Sequence, residues 1–91
     1  MGLKSTTVCL GYQQITSLSA STALTVPSGA TLALIVPETQ NVRWRDDGTA
    51  PTASVGMPIF VGASLSYDGD LNRILFIHQA ASATLNISYY A

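Results

Sequence analysis

Thr84-Leu85-Asn86-Ile87-Ser88-Tyr89-Tyr90 is the stretch that decides the fold class. Leu85, Ile87 and Tyr89 alternate with Asn86, Ser88 and Tyr90, which is the period of two of a strand with one dry face and one wet face. Working outward, the same residue types (Val, Ile, Thr, Tyr, Phe) recur in short runs separated by Gly, Pro, Ser, Asn and Asp. That is the pattern of many short strands joined by turns, and helix signals are nearly absent. Strands are expected over Thr6–Tyr12, Thr22–Val26, Thr31–Val36, Asn41–Arg45, Pro58–Tyr67, Asn72–His78 and Thr84–Tyr90. Turns are expected at Pro27-Ser28-Gly29, Asp46-Asp47-Gly48 and Asp68-Gly69-Asp70, each placing a residue tolerant of positive φ between apolar runs. Thr49 to Met57, with Pro51 and Gly56, reads as the longest loop. The fold class is therefore all-β, a small antiparallel sandwich.

Two strands depart from the clean alternation. In Thr31–Val36, Leu32, Leu34 and Val36 oppose Ala33 and Ile35, and in Arg73–His78, Ile74, Phe76 and His78 oppose Arg73, Leu75 and Ile77. A two-layer sandwich buries one face of each strand, so strands that are apolar on both faces overshoot one core and point to a subunit interface.

The chain has 91 residues, which makes one domain over 1–91, with 1–30 read as an N-terminal arm plus the first strands. A domain this small hides only about 60 to 65% of the surface its unfolded chain exposes, so its stability margin is thin. The single Cys9 excludes an internal disulfide, and with one histidine, His78, the chain cannot furnish the four ligands of a structural zinc site. Partner subunits remain as the source of extra stability. Composition agrees: 47% of residues are hydrophobic and only 10% charged, against about 25% charged in an ordinary soluble domain.

A net charge of −1 provides no footprint for a nucleic-acid backbone. The longest unbroken apolar run, Leu32–Val36, is far short of the roughly 18 to 20 residues that cross a bilayer. Neither nucleic acid nor membrane is an expected partner. No secretory leader is read at the N-terminus, and the lone thiol suits a reducing compartment. Met1–Thr6 fits the loose N-myristoylation pattern, and Asn86-Ile87-Ser88 is a glycosylation sequon inside a strand; both patterns arise often by chance.

No catalytic set converges. His78 sits in a strand beside Phe76 and not in a Gly-rich elbow, so a structural histidine is expected. Cys9 reads as a small buried hydrophobe. Asp68-Gly69-Asp70-Leu71-Asn72 begins like a calcium loop, but Arg73 stands where such a loop needs glycine and Gln79 where it needs glutamate. A solvated turn is expected there, and no cofactor and no metal. Asp46 and Asp47 are adjacent in a turn and do not face each other as an acid–base pair.

The densest constellation is Arg43-Trp44-Arg45-Asp46-Asp47-Gly48. Alternation puts Arg43 and Arg45 on one face and Trp44 on the other. Trp and Arg are over-represented at interface hot spots, and an Arg–carboxylate fork gives orientation, so Arg43, Trp44, Arg45, Asp46 and Asp47 are the candidate protein-interface residues. The bland alternative buries Trp44 in the core and ties both arginines to local aspartates. Phe60 and Phe76, the alternatives to Trp44, Arg43 and Arg45 as anchors, are expected inside the subunit core.

At this constellation the sequence resembles small virion structural proteins of tailed bacteriophages. The resemblance rests on Arg43-Trp44-Arg45-Asp46-Asp47-Gly48-Thr49-Ala50-Pro51-Thr52, then Gly56-Met57-Pro58, Gly69-Asp70-Leu71 and the ending Ala83-Thr84-Leu85-Asn86-Ile87-Ser88-Tyr89-Tyr90, covering about residues 30 to 91. It implies a jelly-roll-like β-sandwich that serves as capsid decoration (cement) or as a neck or tail component. The location it implies is the virion, after synthesis in a bacterial cytoplasm. The expected partners are copies of the chain itself, as a homotrimer, and the major capsid protein or another virion protein. A receptor- or carbohydrate-binding module is the alternative, with Trp44, Tyr89 or Tyr90 as a stacking platform. An enzyme is not expected.

Overall fold

The computed structural model describes residues 7–91. The Met1–Thr6 pattern and the expected start of the first strand at Thr6 lie outside the described residues. Eight strands follow in order: β1 (Cys9–Ile15), β2 (Thr22–Ala23), β3 (Leu32–Glu38), β4 (Val42–Arg45), β5 (Met57–Ile59), β6 (Leu65–Tyr67), β7 (Leu75–His78) and β8 (Thr84–Tyr90). They form two antiparallel sheets, β1-β8-β3-β6 and β2-β7-β4-β5. Strands 1 and 8, 2 and 7, 3 and 6, and 4 and 5 are neighbours, as when a long antiparallel ribbon is folded over and rolled into two layers. This is the jelly roll, which hides strand edges by stacking two sheets.

The inner faces follow from alternation and register. In the first sheet Ile35 pairs with Ile87, and Ala33 pairs with both Tyr89 and Tyr67, so these side chains share one face. In the second, Val42 pairs with His78 and Ile59, and Trp44 with Phe76 and Met57. Ala33, Ile35, Val42, Phe76, Leu85 and Ile87 lie between the layers with no exposed surface, and they join one core with Ile15, Leu18, Leu24, Ile59 and Ile74. Burial of the alternate residues of β8 agrees with the reading of Thr84–Tyr90.

The expected strand Pro58–Tyr67 is two strands in different sheets. The reason is the corner between them: Gly62 adopts φ +87°, and the Ala63 N–H donates to the Phe60 carbonyl at 2.9 Å, which reverses the chain. β2 is only a two-residue strand, and β1 runs further, to Ile15, than expected. A bulge between Cys9 and Gly11 shifts the register of β1 against β8 and sets Cys9 opposite Tyr90 on the solvent side. Cys9 is therefore exposed, contrary to the expected buried thiol.

The faces expected to carry excess apolar surface are half-covered. Leu34 and Val36 on β3, and Leu75 and Ile77 on β7, are partly buried on the outer faces of their sheets. The large exposed hydrophobic side chains lie elsewhere, at the sheet edges.

Gly48 closes the corner after β4 with φ +89°, as expected of that turn. A Cβ on it would lie 2.6 Å from Nη2 of Arg73, the tip of a flexible side chain. Backbone strain therefore dominates over crowding, and Gly48→Val should cost on the order of 1 to 2 kcal/mol. Thermal unfolding reads this, and an unchanged midpoint would show that the corner tolerates a Cβ.

Candidate functional site

β4 carries the constellation singled out in the sequence, and its register decides where each side chain goes. Trp44 points inward and is half-buried against the core, its ring centroid 5.8 Å from that of Tyr67 on the opposite sheet in an edge-on arrangement at 65°. The Tyr67 hydroxyl donates to Asp46 Oδ2 at 2.6 Å. It also occupies the position a Cβ on Gly69 would take, so only glycine fits there. Burial, helped by the hydrogen bond to Asp46, pushes the Tyr67 hydroxyl up to about 12.

Arg43 and Arg45 point to the outer face. Arg43 is not tied to an aspartate: its Nε donates to the Ala53 carbonyl at 3.1 Å and its Nη1 to the Gly56 carbonyl at 2.8 Å. Arg45 makes a fork with Asp47, Nε to Oδ1 at 3.0 Å and Nη2 to Oδ2 at 2.5 Å. Asp47 Oδ1 also accepts from the Thr49 N–H at 3.3 Å, and the Arg45 hydrogen bonds hold the Asp47 carboxyl down at about 2. Both partners of this ion pair are largely solvated, so it contributes shape more than stability.

These contacts fix the long connection from Asp46 to Gly56. The Thr52 and Val55 backbones bond each other, and Thr52 Oγ1 accepts from the N–H groups of Ser54 and Val55. Together with the two Arg43 bonds, the loop is held as a built shelf. A shallow open groove of about 380 Å³ runs along it, lined by Arg45, Asp46, Asp47, Val55, Gly56 and Met57. Trp44 is not among the lining residues; its ring packs against the core and Tyr67. The structure brings Arg45, Asp46 and Asp47 together at the groove, and sets Trp44 against the core and Arg43 against the Ala53 and Gly56 carbonyls.

The exposed apolar residues form two groups. Val55, Met57, Phe60 and Val61 surround β5 with 49–58% of each exposed. Val8, Leu10 and Tyr12 lie on or beside β1, at 60%, 39% and 64%. Phe60, expected as a core residue, is thus a surface residue, because the corner at Gly62 turns it outward. The signal in the sequence was an apolar run without polar alternation between Gly56 and Gly62, which a half-buried strand does not need. Phe76, the other core expectation, is fully buried.

On the outer face of the first sheet a hydrogen-bonded chain links β1, β8 and β3. Tyr12 Oη and Gln14 Nε2 both donate to Asn86 Oδ1, at 2.6 and 3.0 Å, and Asn86 Nδ2 donates to Glu38 Oε1 at 3.0 Å. His78 is half-buried, and its backbone N–H donates to the Leu18 carbonyl at 2.9 Å. Asp70 caps its own turn, its Oδ1 accepting from the Asn72 N–H at 3.0 Å. Among the described residues, no three His, Cys, Asp or Glu side chains gather where they could hold a metal ion. Searches of family models, curated proteins and solved structures give no match to this chain.

Proposed function

We propose that the chain is a structural subunit of a tailed-bacteriophage virion, most simply a capsid decoration (cement) protein, that acts by protein–protein contact and not by catalysis. The observation that carries the contact reading is the pair of apolar groups at β1 and β5. These exposed large side chains sit on a small domain with a thin core and few charges. The virion assignment rests on the motifs from Arg43 to Thr52 and from Ala83 to Tyr90.

The mechanism is linkage. A subunit that binds only the assembled shell stabilises that shell by mass action, without chemistry. Standard interfaces bury about 1,600 Å² in total, which suffices when a few anchors are well packed. In this reading the shelf from Asp46 to Gly56 presents Val55 and Met57, and Arg43 and Arg45 hold it in shape.

Imaging the intact particle tests the proposal by locating the chain. Particles lacking it should burst at lower temperature or lower external salt, and purified protein should restore them. A double Arg43→Ala, Arg45→Ala variant should restore them poorly while remaining folded. Depleted particles that are as robust as intact ones yet fail to adsorb to their host would replace the cement reading with receptor binding.

A further inference from the structure

The groove along the shelf belongs to one end of the sandwich. Residues 39–41 alone join β3 to β4, so the end of β3 and the start of β4 share one end of the molecule, and the start of β3 and the end of β4 share the other. Arg45 and Met57, which line the groove, lie at that second end, since Met57 pairs with Trp44. Cys9 lies there too, because it pairs with Tyr90 and Tyr90 pairs with Leu32. The chain therefore enters β1 at the end where the groove opens.

The charges gather at this end as well. Among the described residues Glu38 closes β3 at the opposite end, and the remaining charges are three arginines against four aspartates, all on β4, the corner after it or the turn from Asp68 to Arg73. One carboxylate is in surplus. Asp47 is forked by Arg45, Arg43 is held by carbonyls, and Arg73 reaches Gly48 without pairing with either neighbouring aspartate. Asp46, exposed in the groove wall, accepts from the Tyr67 hydroxyl and has no cationic partner among the described residues. Beside it Val55 and Met57 are 54% and 58% exposed. An unbalanced carboxylate next to an apolar floor fits an occupant that carries one cation next to apolar side chains.

Met1-Gly2-Leu3-Lys4-Ser5-Thr6 has that chemistry. Lys4 is the one base of the chain outside the described residues, and Met1 and Leu3 are the apolar side chains near it. Its own groove is out of reach. Short connections run from β1 to β2 and from β5 to β6, so β2 lies opposite β1, and β5 lies opposite β6 at the far side of the sandwich. From β1 to β5 is three strand spacings across, about 14 Å, and one layer down, about 10 Å, hence about 17 Å in a straight line and more around the loops. Leu3 precedes Thr7 by four residues, at most about 14 Å of extended chain.

We infer that residues 1–6 of one copy occupy the groove of a second copy, with Leu3 on Val55 and Met57 and the Lys4 ammonium on the Asp46 carboxylate. This inference rests on the contact reading of the shelf. Because arm and groove belong to the same end, two copies set end to end about a two-fold axis exchange arms reciprocally. A two-fold contact of this kind is complete at two copies.

Exchanging the charges tests the pairing. Sedimentation at tens of micromolar should show wild type as a dimer and the chain without residues 1–6 as a folded monomer. Lys4→Glu and Asp46→Lys should each weaken dimerisation by about tenfold or more, and the double variant should restore it, since the pair re-forms with its signs exchanged. Val55→Asp, at an exposed side chain, gives the same loss should Asp46→Lys unfold without its bond to Tyr67. In a Cys9→Ser background, a Leu3→Cys chain mixed with a Met57→Cys chain should form a disulfide between chains when oxidised glutathione is supplied. A monomeric wild type, a truncated chain that still dimerises, or a charge exchange that restores nothing in a folded double variant would overturn the inference. So would a Leu3→Cys, Met57→Cys chain that forms its disulfide only within itself. A monomeric chain that still decorates particles would remove the exchange and leave the virion reading standing, whereas an arm-exchanged dimer absent from particles would do the reverse.

Discussion

Phe76→Ala is expected to remove about 3 to 5 kcal/mol of stability, the usual cost of emptying a buried aromatic site. Phe76 has no exposed surface and sits at the middle of the second sheet, paired with Thr22 on one side and Trp44 on the other. It belongs to the same core cluster as Ile35, Ile74 and Ile87. A domain of 91 residues has about 5 to 14 kcal/mol in all at roughly 0.05 to 0.15 kcal/mol per residue, so this one change takes a large share. Each kcal/mol lowers the midpoint of a domain this size by about 4 to 8 °C, and the variant should therefore melt at least about 12 °C below wild type. Leu75→Ala, next along the strand but on the half-covered outer face, is the control and should cost about 1 kcal/mol. Equal losses at the two positions in thermal unfolding would mean that the two faces of β7 are not distinguished as the structure has them.

The division of labour along β7 was only half legible from the residues. Its alternation told which side chains share a face, and Phe76 as a core residue followed. What alternation cannot tell is how far the outer face is covered, because that depends on loops arriving from elsewhere. The same limit explains Leu34 and Val36, which were expected to mark an interface and are half-covered. The corner at Gly62 was missed for a different reason. Residues 58–67 hold strand-forming side chains at both ends, Ile59, Phe60 and Val61 and then Leu65 and Tyr67, and the Gly62-Ala63-Ser64 corner between them, with Gly62 at positive φ, splits the run and exposes Phe60. At Cys9 a bulge moved the register by one, and a shift of one residue changes the face of a side chain. In the constellation around β4, alternation told that Trp44 faces away from Arg43 and Arg45, but a core Trp44 was only the bland alternative. The Arg45–Asp47 fork belonged to that alternative too, whereas Arg43 is tied to loop carbonyls and not to an aspartate. Tyr67 was not legible, because it reaches Trp44 and Asp46 only after β6 is packed on the other sheet, 21 residues from its hydrogen-bond partner.

Stability should fall steeply between about pH 10 and 12, and the cause is two buried hydroxyls. Tyr89 is 1% exposed, its hydroxyl donates to Gln13 Oε1 at 2.6 Å, and burial pushes it up to about 12. Tyr67, buried beneath Trp44 and bonded to Asp46, is also raised to about 12. For both groups the folded state favours the neutral form more than the unfolded chain does. Their contribution is therefore complete below the unfolded value of about 10 and is lost as the pH climbs through the folded value. At 1.36 kcal/mol per unit, a rise of about two units is worth on the order of 2 to 3 kcal/mol for each tyrosine, so the pair accounts for a loss comparable with the lower end of the domain's whole stability. Alkaline unfolding followed by circular dichroism, with tyrosinate absorbance recorded in parallel, should show the two signals changing together. Tyr89→Phe separates this cause from general alkaline damage. Phenylalanine keeps the packing and cannot ionise, and Gln13 Oε1 still accepts from the Thr25 N–H at 3.1 Å, so the loss at neutral pH should be only about 1 kcal/mol. The variant should then fall behind wild type at pH 7 and overtake it near pH 12, because it lacks one of the two groups that drive the transition. An alkaline midpoint that moves in neither Tyr89→Phe nor Tyr67→Phe would show that neither hydroxyl is sealed from solvent between the sheets.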